Sequence, residues 1–152
     1  MPTIVIDTAR VQDAVETRLQ EGLAGSGVAF VPIGEDPPAD AGAWARLVAI
    51  DWAEGDRDTQ PGNVDAWSIV ATIAVRTTNA KANAHAHAAA LEVVRRCFDS
   101  LVVTLADAVV EFHRAVPAAD TDPRMSRRER AGAVIARGRA TRTTGSAAQN
   151  YL

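Results

Sequence analysis

Residues 64–78, VDAWSIVATIAVRTT, alternate with a period of two: Trp67, Ile69, Ala71, Ile73 and Val75 form one unbroken apolar face. Such a run reads as a long β-strand that needs something to cover that face. It passes directly into an alanine-rich stretch, NAKANAHAHAAALEVV, whose composition favours helix. A strand feeding a helix restricts the chain to a sheet with helices laid on it.

The flanking segments fit that plan. From Asp7 or Thr8, both suitable N-caps, Val11, Val15, Leu19 and Leu23 recur every fourth residue as a helical stripe, and Gly25-Ser26-Gly27 ends the run. VAFVPI (28–33) reads as a short strand that Pro32 confines to an edge or a strand end, followed by the loop GEDPPADAG. In WARLVAIDW (44–52) strict alternation places Trp44, Arg46, Val48, Ile50 and Trp52 on one face and Ala45, Leu47, Ala49 and Asp51 on the other. This strand pairs with 64–78 as a long hairpin through the acidic loop 53–63.

Asn79 caps the second helix, and the three-and-four spacing of Leu91, Val94, Phe98, Leu101 and Leu105 continues it; β-branched Val102, Val103 and Thr104 leave its end open, and TLADAVVEFH could restart a short helix at Thr104. Residues 114–132 read as a loop. AVIARGRATRTT then alternates small residues with Arg137, Arg139 and Thr141, which predicts a final strand with one basic face. The expected fold is α+β: an antiparallel or mixed sheet of about four strands with two main helices on one face. Residues 1–142 form this single domain, and 143–152 an extended C-terminal tail.

Only 5% of residues are aromatic against 47% apolar, so the core must be built from Ala, Val, Leu and Ile. No segment reaches the roughly 20 apolar residues that span a bilayer, and MPTIVIDTARVQ lacks a basic region followed by an apolar core, so a soluble protein made in the cytosol is expected. The single Cys97, beside Val93, Val94 and Phe98, reads as a buried thiol.

Searches for reaction chemistry return little. On a helix His85 and His87 point roughly 200° apart and cannot share a metal. Gly25-Ser26-Gly27 follows a helix, and Phe30 stands where a dinucleotide fingerprint needs glycine. Asp51, Glu54, Asp56 and Asp58 suggest part of a calcium loop, but Gln60 and Pro61 break it. Ser100 has no motif around it. No catalytic residue, metal ligand or cofactor site is therefore assigned.

Charge is unevenly placed. Residues 1–123 carry 9 Lys and Arg against 18 Asp and Glu, whereas 124–152 carry 7 Arg against the single Glu129. Arg124, Arg127, Arg128 and Arg130 read as a solvated loop, while Arg137, Arg139 and Arg142 suit carboxylates of this chain or another. Head-to-tail self-assembly, with the basic segment of one copy on the acidic surface of the next, is the physical expectation, and such contacts close into rings when their rotation permits.

The helix VQDAVETRLQEGL, the strands VAFVPI and ARLVAIDW, the strand-to-helix passage from Trp67, and the closing GRATRTTGS follow one another in an order that resembles the tail-terminator, or tail-completion, proteins of long-tailed bacteriophages and gene transfer agents. Residues 99–131 have no place on that plan. The resemblance implies a non-enzymatic virion protein, assembled in the host cytoplasm and located at the head-proximal end of the tail. It implies a ring, typically a homohexamer, that caps the tail tube, stops its polymerisation and offers the head-tail joining surface. The implied partners are further copies, the tail tube protein and the head connector or head-completion protein, with DNA only passing through and no membrane. On this reading VAFVPI and GRATRTT are edge strands for ring formation, Arg137, Arg139, Arg142, Tyr151 and Leu152 belong to the subunit interface, and Glu54, Asp56 and Asp58 line the lumen. Another head-tail connector or head-completion protein and a basic-tailed DNA-binding protein are the alternatives.

Overall fold

A computed structural model describes residues 7–57, 66–78, 84–106, 108–118 and 129–142. The first helix, α1 (Thr8–Leu23), starts where Asp7 accepts a hydrogen bond from the Ala9 N–H at 2.9 Å, satisfying a donor that has no partner within the helix. Its stripe Val11, Val15, Leu19 and Leu23 is buried as the spacing predicts. Gly25 and Gly27, at φ 73° and 88°, then turn the chain through left-handed backbone that other residues avoid.

The strands are β1 (Ala29–Phe30), β2 (Ala43–Arg57), β3 (Ala66–Thr78), β4 (Val102–Thr104), β5 (Ala108–Ala118) and β6 (Glu129–Arg142), and the second helix is α2 (Ala84–Arg96). Six strands form one sheet in the order β1-β2-β3-β6-β5-β4, with β1 parallel to β2 and every other pair antiparallel. The sheet is mixed as expected but has two more strands than the expected four or so. Both helices cover one face: Val11, Val15, Leu19, Leu23, Ala90 and Val94 share a single apolar cluster with Ile69, Ala71, Ile73 and Val75 of β3 and with Val134, Ala136 and Ala140 of β6. Small side chains dominate that cluster, and its aromatic component is Phe98 edge-on to Phe112 at 5.3 Å.

Several expectations are corrected. The alternation of β2 changes phase, because a bulge between Leu47 and Ala49 inserts Val48, leaving it exposed. Ala43, Ala45 and Leu47 face the helices before the bulge and Ile50 and Trp52 after it, and the Trp52 indole N–H reaches Thr8 Oγ1 at 2.9 Å. The second helix stops at Arg96 and does not continue to Leu105. Turn hydrogen bonds from the Cys97, Phe98 and Asp99 amides, and Ser100 at φ 54°, swing the chain into β4. Phe98 and Leu101 are still buried, since a turn and a strand satisfy the same apolar spacing. The proposed helical restart at Thr104 is the β4–β5 hairpin, in which Ala108, Val110 and Phe112 alternate into the core; β-branched Val102, Val103 and Thr104 favour that outcome.

A further correction concerns β6. GRATRTT is no edge: β6 pairs with β3 along Glu129–Thr141 and with β5 along Ala133–Arg142, so it lies at the centre of the sheet. VAFVPI does supply an edge, through the two-residue β1. Residues 114–118 and 129–132, expected in a loop, belong to β5 and β6. Asn79 and the tail 143–152 fall outside the described residues.

Candidate assembly interface

One face of the sheet is packed under the helices and the other is open. The pleat and register place Trp44, Arg46 and Asp51 of β2, Ser68, Val70, Thr72 and Ala74 of β3, Ile135, Arg137 and Arg139 of β6, and Glu111, Arg114 and Val116 of β5 on the open face. Among the described residues none of these side chains is buried. The face mixes β-branched residues with arginines. Val48 and Val116 are 54% and 43% exposed.

The arginines differ in their surroundings. Arg46 lies 5.2 Å from the Trp44 ring centroid, and its Nη2 donates to the Glu35 carbonyl oxygen, which ties the loop after β1 to the open face. Arg139 stands opposite Glu111 in the β5 register, a favourable cross-strand pairing. Arg137 stands directly opposite Arg114. These two arginines, with Val116, Pro117, Ala118 and Ile135, line a shallow depression of ≈ 430 Å³. Both are exposed, and neither side chain has a hydrogen bond or ion pair among the described residues.

The structure thus brings together Arg137 and Arg139 of the predicted interface, while Arg142, three residues beyond Arg139, projects to the helix-bearing side by the strand's pleat. Glu54 and Asp56 belong to strand β2 and not to the loop in which they were expected; Asp58, Tyr151 and Leu152 lie outside the described residues. Arg114 was missed because 114–132 reads as a loop from its prolines and charges. The signal that could have found it is the alternation of Ala108, Val110 and Phe112 with Val109 and Glu111.

The histidines and the cysteine have structural settings. His85 is exposed; His87 is 6% exposed, with Nδ1 3.1 Å from Thr77 Oγ1 and Nε2 facing Gly132. Cys97 is half-buried, its Sγ donates to the Val93 carbonyl at 3.4 Å, and burial pushes its thiol pKa up. An opening of ≈ 290 Å³ between α2 and the start of β2 is lined by alanines and valines with the hydroxyls of Ser26 and Thr77. Among the described residues no cluster of three His, Cys, Asp or Glu could hold a metal ion, and no helix is long and apolar enough to cross a membrane.

No family model and no curated protein matches the chain. Among solved structures it is similar to a chain of the virion of a native gene transfer agent particle, with 21% identity, a TM-score of 0.56 and coverage of 88% of this chain and 97% of that one. A second solved protein, whose description states no function, is 15% identical with a TM-score of 0.57, over 92% of this chain and 98% of its own. The likeness is one of fold. It extends over nearly the whole of each neighbour.

Proposed function

We propose that this chain is a structural virion protein of a phage-like particle, a tail terminator that caps the tail tube as a ring and forms the head-tail joining surface. The observation that carries the reading is the near end-to-end correspondence of fold with a chain of a gene transfer agent virion. The open sheet face supports it, because apolar and arginine-rich surface of this kind is suited to burial against protein.

The sheet margins suit ring closure. β1 pairs with β2 only at Trp44 and Ala45, and β4 with β5 only at Val109–Glu111. Beyond those pairs, the outer sides of β2 and β5 lack a partner strand among the described residues. The two margins differ from one another, so joining them is a head-to-tail contact, which closes into a ring where its rotation allows. Six copies, the tube protein and the head connector as neighbours, and a position at the head-proximal end of the tail complete the proposal. No step of it requires catalysis, a cofactor or a membrane.

The test is the mass of the protein in solution by light scattering, followed by imaging with polymerised tail tubes. The expected result is a closed oligomer of roughly 97 kDa for six copies of the 16.1 kDa chain, or density capping one end of a tube. A protein that stays monomeric, ignores tubes and binds duplex DNA with steep salt dependence is a DNA-binding protein instead.

A further inference from the structure

Two arginines placed opposite each other on neighbouring strands destabilise the sheet that carries them. The row formed by Arg139 and Glu111 shows how this face balances such a charge, yet Arg114 and Arg137 have no carboxylate in that role. From this we infer that the Arg114–Arg137 depression receives the acidic loop Glu35–Asp40 of a second copy, an inference that rests on the ring proposed above.

The loop matches the depression in charge and in shape. Its sequence EDPPAD presents Glu35, Asp36 and Asp40, all exposed, and none of the three carboxylates has an ion pair among the described residues. Arg guanidinium groups bind carboxylates through paired hydrogen bonds, which a pair of them can offer twice. Pro37 and Pro38 stiffen the segment, so little conformational freedom is lost on docking. Beyond the arginines along β5 and β6, Val116, Pro117, Ala118 and Ile135 form an apolar wall against which the prolines can pack. A phosphate backbone would use the charges and leave that wall wet.

The width of the sheet favours a contact between copies. The loop hangs from the β1–β2 margin, held by Arg46 towards the open face, and the depression lies at the β5 margin of that face. From β2 to β5 there are three strand-to-strand steps, about 14 Å at ~4.8 Å each. A head-to-tail neighbour places its β2 margin beside this β5 margin; in the sheet register Ala118 lies in the row of Arg46 and Val116 in that of Ala49, with Arg114 and Arg137 in the row of Asp51.

Charge reversal tests the contact. R114E and R137E, made singly, and E35R/D36R are each expected to weaken self-association by about tenfold or more, and R114E/R137E/E35R/D36R is expected to restore it. At a concentration where each chain is monomeric, R114E should also melt higher than wild type, because it puts a carboxylate opposite Arg137; lost assembly beside a gain in monomer stability is not the signature of a folding defect. If wild type associates and the single reversals associate equally well, the contact is overturned and the ring stands. A wild type that stays monomeric with and without tubes overturns both. Arginine variants that assemble normally but lose duplex DNA affinity assign the depression to phosphate and overturn the inference.

Discussion

Gly138 lies in the central strand β6, between Ile69 of β3 and Phe112 of β5. A Cβ there would stand 2.2 Å from the Glu111 carbonyl oxygen and 2.9 Å from Phe112 Cα, where ordinary contacts begin near 3.4 Å. The obstructing atoms are backbone, pressed onto Gly138 beside the irregularity that β5 makes between Phe112 and Arg114. G138A therefore requires strands bound on both sides to separate by about 1.2 Å, the gap between those contact distances. Overpacking typically costs about 1–3 kcal/mol, and backbone obstruction belongs at the upper end. The reduced freedom of the unfolded chain offsets about 0.4–1 kcal/mol. The net loss of about 2–2.6 kcal/mol corresponds to a fall in Tm of about 4–10 °C for a chain of this size. Urea unfolding followed by fluorescence of Trp44, Trp52 and Trp67, with circular dichroism as a second probe, measures it. G25A is the control: its strain is left-handed backbone alone, with no atom within 4 Å, and should cost about 1–2 kcal/mol. A G138A protein with wild-type midpoint and slope would refute the close-approach argument.

Replacing Asp7 by Ala removes the cap of α1 and should cost about 1 kcal/mol in the same urea assay; the exposed Asp7–Arg10 pair at 3.8 Å adds little to that. Glu92 has its pKa lowered from 4.5 to about 2, chiefly by the hydrogen bond from Arg95. Its folded value is depressed, so its stabilisation is present above pH 4.5 and fades as pH falls towards 2. E92Q should therefore melt below wild type at neutral pH, and the two should converge through that window; a gap that persists at pH 2 contradicts the assignment. Cys97 should react slowly with a thiol reagent in the native protein and rapidly in urea, because burial holds its thiol protonated.

What was legible in the sequence is what a single element encodes by itself. The stripe of α1, its Asp7 cap and glycine stop, the alternation of β3 and the basic alternation of β6 depend on periodicity over neighbouring residues, and each appears as read. Arg137 and Arg139 share a face because a strand's pleat is local, but their companion Arg114 arrives from β5 through a pairing between distant segments.

Only the tertiary structure decided strand order, phase and the ends of elements. Val48 is indistinguishable from its apolar neighbours until the register with β3 shows it to be the inserted residue. The spacing of Phe98 and Leu101 satisfies a helix and a turn equally, and the choice falls to the hairpin that β4 makes with β5. β6 comes last among the strands yet occupies the middle of the sheet, since only there do Val134, Ala136 and Ala140 lie beneath α2 with partners on both sides. Periodicity records which face of an element is apolar; which elements meet, and in what register, depends on burying all those faces together.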